Sequence, residues 1–221
     1  MEQQARALPA ARRLVCIKAP LRPDGWESPN RAVPTYYPFM RLAIASLVCA
    51  ALLAGCGAAH VKSNAPSKTA EAKAFKGSPP ALAAVHRQGG QLLGGGTAAF
   101  NARLAELKGH PVVVNKWAAW CGPCRQEFPV FQKVSVQYGK RVAFLGVDGQ
   151  DNDGDAKKFL GQYPVSYPSY SDPNLKIANE MNAVGAFPTT VIYDSNGKIV
   201  NRHLGPYTKA DLVSDIKRYA Q

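Results

Sequence analysis

Between Val112 and Pro129 the chain reads VVVNKWAAWCGPCRQEFP, and this stretch limits the possible folds more than any other. The β-branched run Val112 to Val114 predicts a buried strand, and beyond Cys121-Gly122-Pro123-Cys124 the apolar spacing turns helical. A strand that hands directly to a helix asks for layered α/β structure. Two cysteines separated by two residues at that junction suit a dithiol that cycles to a disulfide.

A helix N-terminus carries unpaired N–H groups and about half a positive charge, which stabilises a sulfur there as the attacking thiolate. Cys121 is therefore the expected nucleophile. Pro123 suits the first helical turn because it has no N–H to lose, while Gly122 lets another backbone come close. Cys124, one turn inside the helix, is the resolving thiol that would attack a mixed disulfide on Cys121. Glu127 lies three residues further on the same helix face, where a partly buried carboxyl would resist ionising and could exchange a proton with Cys124. Pro129 removes one helical hydrogen bond, so a kink is expected.

Metal readings fare worse. A zinc site would need further ligands at compact spacing, and His86, His110 and His203 are scattered singly. The acidic turn from Gly149 to Asp155 fails the calcium-loop pattern, which would put Gly149 and Leu160 at its first and last ligand positions. No metal is expected.

WAAWCGPCRQEFP, together with GAFPTTVIYDSNG from Gly185, resembles the TlpA/ResA-like branch of the thioredoxin superfamily: extracytoplasmic, membrane-tethered thiol-disulfide oxidoreductases. The likeness runs from roughly Leu82 to Gln221. It implies a thioredoxin fold, with a central mixed β-sheet flanked by helices, and a catalytic role for Glu127 at the position of the branch's glutamate. It also implies a cis Phe187-Pro188 bond facing the cysteines, with the main chain of Phe187 pairing with a bound partner as an added strand. Trp120, Gly122, Pro123, Phe187 and Pro188 are the expected substrate-binding residues. The implied partners are protein disulfides and thiols and an integral-membrane thiol donor of electrons, with no cofactor beyond the Cys121–Cys124 disulfide. Asn115 stands where cytoplasmic thioredoxins keep a buried Asp, and Lys116 departs from the aromatic residue usual in the family.

Cys-Gly-Pro-Cys is the thioredoxin motif, and thioredoxin lies near the reducing end at about −270 mV. The expected activity is accordingly protein-disulfide reduction, with cytochrome c maturation among the processes the resemblance suggests. A disulfide-forming oxidase would share every residue named. A thioredoxin-fold peroxidase and a metal carrier are the remaining alternatives.

The five cysteines also describe processing. Met40-Arg41 opens MRLAIASLVCAALLAGC, a basic start, an apolar run and small residues before Cys56, which is secretory-signal architecture too short for a comfortable span. Leu53-Ala54-Gly55-Cys56 resembles a bacterial lipobox, in which Cys56 is lipidated and becomes the first mature residue. The alternative is an uncleaved single anchor from about Phe39 to Ala59. Either way the basic flank stays in the cytoplasm and the dithiol lies on the extracytoplasmic face of the cell membrane. Residues 1–39, with six prolines and no motif, are expected to be disordered or an over-extended start, leaving residues 40–56 as signal peptide. Residues 57–80, rich in Ala, Ser, Lys and Pro, suggest a flexible tether spanning roughly 25 to 30 Å. Residues 81–221 form the thioredoxin-like domain. The +12 net charge comes with no nucleic-acid motif, so no nucleic-acid partner is expected.

Within the domain the spacing predicts helices over Ala81–Leu93 and from a Thr97 cap to Leu107. Beyond the active-site helix come a strand at Val142–Val147, helices at Ala156–Gln162 and Asn174–Met181 with a short strand between them, a hairpin of Thr189–Tyr193 and Lys198–His203, and a final helix capped by Thr208.

Overall fold

The computed structural model describes residues 66–220. The expectations for residues 1–39, for the signal segment with Cys56 and for the tether as far as residue 65 lie outside the described residues.

Strands β1 (Leu92–Leu93), β2 (Val112–Trp117), β3 (Ala143–Gly149), β4 (Ser169–Asp172), β5 (Thr189–Tyr193) and β6 (Ile199–Leu204) make one sheet in the order β1-β4-β3-β2-β5-β6. The four on the β1 side are mutually parallel, and β5 runs antiparallel to both of its neighbours, β2 and β6. Every residue of β2, β3 and β5 is buried, the signature of strands covered on both faces. The cover comes from helices α1 (Lys68–Phe75), α2 (Pro80–Arg87), α3 (Gly96–Glu106), α4 (Gly122–Tyr138), α5 (Asp153–Gln162), α6 (Lys176–Glu180) and α7 (Lys209–Tyr219). This is the expected mixed sheet flanked by helices. Among the described residues no helix is long and apolar enough to cross a membrane.

Four local expectations are corrected. The segment read as tether carries α1, whose Phe75 stacks on His86 with ring centroids 3.5 Å apart. The His86 Nε2 atom in turn lies 2.9 Å from the carbonyl of Gly139, at the end of α4. Ordered packing thus begins before Ala81. Leu92 and Leu93 do not continue a helix: α2 stops at Arg87, Gly89 and Gly90 break the chain, and the two leucines pair with Ser169 and Tyr170 as an edge strand. Thr97 lies inside α3 rather than capping it, because Gly95 takes the cap position at φ 90°, a conformation open to glycine without strain. Helix α6 starts at Lys176, after Leu175 in the left-handed region.

Trp117 is a core residue. It stacks on Phe159 at 4.7 Å and meets Phe128 edge-on at 5.3 Å, and its Nε1 donates to the Ser169 hydroxyl at 3.1 Å. Gly146, on the strand between, has no room for a Cβ, which would collide with that hydroxyl and with the indole. Strands β2, β3 and β4 are thereby locked in register through the end of β2, the middle of β3 and the start of β4, and the chain leaving β2 is delivered to one fixed place.

Candidate active site

That place is the mouth of α4. Cys121 is the N-cap of the helix in extended conformation, and its Sγ accepts from the N–H of Cys124 at 3.1 Å. The two residues form a disulfide. Cys124 is fully buried while Cys121 keeps 3% exposure, so the one sulfur with an edge to solvent is the one at the positive end of the helix. Gly122 and Pro123 are exposed beside it, and α4 continues through Pro129 to Tyr138.

The loop before Cys121 is held from two sides. Ala119 donates its N–H to the Asp151 carboxylate and accepts from the Arg125 guanidinium at 2.7 Å. Trp120 is 55% exposed, with its Nε1 fixed on the Gln150 carbonyl at 3.0 Å. Its ring lies 4.9 Å from that of Phe187. The Phe187-Pro188 bond is cis, Pro188 is buried and Phe187 half-buried. A cleft of about 480 Å³ borders Trp120, lined also by Arg125, Asp151, Asp155 and Lys158 among others.

Glu127 is 1% exposed, one turn beyond Cys124 on α4. Its Oε1 accepts from Asn115 Nδ2 at 2.7 Å and its Oε2 from the N–H of Tyr207 at 3.1 Å. Burial pushes its carboxyl up to about 7, against the lowering effect of those two hydrogen bonds. The group can therefore hold or release a proton at neutral pH, which an exposed glutamate could not do.

Two buried charges complete the surroundings, and the sequence reading gave neither a role. On β3, Asp148 is 1% exposed, and as a carboxylate neither of its oxygens has a hydrogen-bond partner among the described residues. Burial first, then the charge of Asp151 and a hydrogen bond to it, push its carboxyl up to about 8; the charges of Asp153 and Asp172 add to this. A protonated Asp148 is a donor to Asp151, which removes the conflict. On β2, Lys116 is fully buried, and burial lowers its ammonium to about 8 against the raising charge of Asp172. An acid directly after the apolar run AFLGV and a lysine inside VVVNKW were the available signals. Among the described residues no three His, Cys, Asp or Glu side chains are grouped to hold a metal ion.

This fold and site define a redox protein class. The chain matches the Redoxin family over residues 91–219, more than half its length, and belongs to that family. Among curated relatives it is 33% identical over 116 residues to the thiol-disulfide oxidoreductase ResA of Bacillus thuringiensis, covering 52% of this chain and 66% of that one. It is 37% identical over 100 residues to a thiol:disulfide interchange protein DsbE homolog of Paracoccus denitrificans, covering 45% and 53%. The chain thus spans just under two thirds of the first relative's length and about half of the second's. A thiol:disulfide interchange protein of the thioredoxin family from Chlorobium tepidum, known as a crystal structure, aligns at a TM-score of 0.46 with 27% identity, covering 52% and 83%. The resemblance to ResA-like proteins read from the sequence is borne out by these relatives.

Proposed function

We propose that the protein is a thiol-disulfide oxidoreductase that reduces disulfides of other proteins outside the cytoplasmic membrane, tethered there by lipid on Cys56. The observation that carries the chemistry is Cys121 as N-cap of α4, bonded to a buried Cys124. The names of the ResA and DsbE relatives support the reaction class, and the Cys-Gly-Pro-Cys motif favours the reducing direction.

In the reduced protein the Cys121 thiolate attacks one sulfur of a client disulfide; an S–S bond forms to Cys121 and the other client sulfur leaves as thiolate. Cys124 then loses its proton, for which Glu127 is the nearby acceptor, and attacks the Cys121 sulfur. That step restores the Cys121–Cys124 disulfide and frees the second client thiolate, so two electrons have passed to the client. A membrane dithiol donor reverses the change by the same exchange. Trp120, Gly122, Pro123, Phe187 and Pro188 form the docking surface around the reacting sulfur. Among the described residues the main-chain N–H and C=O of Phe187 take no main-chain partner, as an edge that receives an extended client segment requires. A haem-ligation client of cytochrome c maturation fits this reading.

A Cys124→Ser variant is expected to accumulate mixed disulfides through Cys121, and redox titration of the parent protein is expected to give a potential near the thioredoxin value. Absence of trapped partners removes the reading; a potential near −120 mV, roughly that of a dedicated oxidant, reverses its direction. Palmitate labelling that depends on Cys56 tests the anchor.

A further inference from the structure

Lys116 is a fully buried lysine in the all-buried strand β2, and the structure gives it a specific place. Side chains alternate along a strand, so Lys116 projects to the face opposite Asn115 and Trp117. There its Nζ donates to the Val184 carbonyl at 3.2 Å and lies 3.7 Å from the centroid of the Phe187 ring. The Phe187 ring also meets that of Trp120 at 4.9 Å, and Gly149 packs close to it: a Cβ on Gly149 would lie 3.1 Å from the Phe187 ring. The segment from Met181 to Pro188 is pinned at its start by Arg202 Nε on the Met181 carbonyl at 2.8 Å and at its end by Gly205 N–H on the Pro188 carbonyl at 2.9 Å. Between those pins, Lys116 holds its middle.

A fully buried ammonium is an expensive way to do this. An apolar side chain of similar length would fill the space without the desolvation cost, so the charge is not explained by fold stability. What the charge adds is direction. It binds one carbonyl and one ring face at once, and desolvation strengthens a cation over an aromatic ring.

We propose that Lys116 is a positioning residue for client docking, its ammonium clamping Val184 and Phe187 so that the main chain of Phe187 is presented at a fixed height beside Cys121. This rests on the docking role given to Phe187 above. The charged groups facing Lys116 are few: Asp172 at the end of β4 supplies the counter-charge and is itself held by the N–H groups of Ile177 and Ala178 on α6. From β3 come Val147, its partner in register, and Gly149, and from β5 comes Thr189; none of the three titrates. The lowered ammonium value, about 8, means the clamp is charged at neutral pH and slackens above it.

The test uses reduced full-length protein and a short synthetic peptide carrying a mixed disulfide with thionitrobenzoate, whose release is followed by absorbance. Lys116→Met is expected to raise KM about tenfold with kcat within about twofold of the parent, since docking and not bond exchange is affected. Alkylation of Cys121 by iodoacetamide keeps its rate, and the melting temperature does not fall. Lys116→Arg recovers most of the lost KM, and the rise of KM above about pH 8 seen in the parent is absent from Lys116→Met. An unchanged KM in Lys116→Met, equal KM losses in the Met and Arg variants, or a parallel loss of iodoacetamide reactivity would each overturn the proposal. A parent protein that exchanges with no peptide disulfide at all removes the docking reading and this proposal together, whereas parent turnover with unchanged KM in the variant removes this proposal alone.

Discussion

Replacing Glu127 by Gln isolates the proton that this site holds. In the folded protein the carboxyl is displaced from 4.5 to about 7, with burial as the main cause, which is a preference for the neutral form of about 3 kcal/mol. The folded value lies above the unfolded one, so the folded state holds the proton longer. The associated stability is complete below pH 4.5 and is lost as pH rises through about 7. Between pH 5 and pH 8 the parent protein therefore gives up about 2 to 3 kcal/mol on account of this one group. Glutamine has no proton to lose and still fits: its oxygen can accept from Tyr207, and its amide can donate to Asn115 Oδ1, which has no hydrogen-bond partner among the described residues. Urea denaturation of both proteins, with the Cys121–Cys124 disulfide intact so that no thiol titrates, should show their midpoints diverging by about 1 M across that range in favour of Gln. Shared groups such as Asp148 cancel in the comparison. In the reduced proteins, the inflection near pH 7 in disulfide turnover should be absent from the variant. Midpoint curves that stay parallel from pH 5 to pH 8 would refute the assignment of a buried, proton-holding Glu127.

Asp148→Asn removes a second carboxyl with a raised folded value, so its advantage over the parent should be small near pH 4 and grow to about 5 kcal/mol by pH 9, read from the same urea midpoints. Asp172→Ala deletes the acceptor of the Ile177 and Ala178 N–H groups at the start of α6 together with the counter-charge of Lys116. It should lower the melting temperature by about 4 °C at pH 7. The part of the loss that comes from the counter-charge should shrink as pH rises through about 8, where Lys116 of the folded parent becomes neutral.

The features legible in the sequence were those written in local chemistry. The strand-to-helix junction at Cys121, the cap at Thr208 and the turn Asp194–Gly197 each depend on a few neighbouring residues, and each stands where the spacing put it. The edge strand Leu92–Leu93 was not legible, because two leucines after a helix look like more helix until Ser169 and Tyr170 arrive beside them. Helix α1 escaped for a similar reason. Its residues carry a weak apolar pattern, and one ring, Phe75 against His86, supplies the docking. The family likeness pointed to Glu127, but its partners Asn115 and Tyr207 lie 12 and 80 residues away, a distance no local pattern carries.

The alternation along β2 explains how one strand serves the two halves of an exchange reaction. Asn115 faces α4 and sets the hydrogen bonding of Glu127, the proton-holding group one turn beyond the buried sulfur. Lys116, the next residue, faces the opposite way and grips the segment that ends in Phe187. A one-residue slip of β2 against β3 and β5 would exchange these two environments, putting an amide under the docking loop and an ammonium against the carboxyl. The lock formed by Trp117, Gly146 and Ser169 forbids that slip. The register of the sheet is therefore part of the active site, because it decides which side of the disulfide receives the proton and which receives the client.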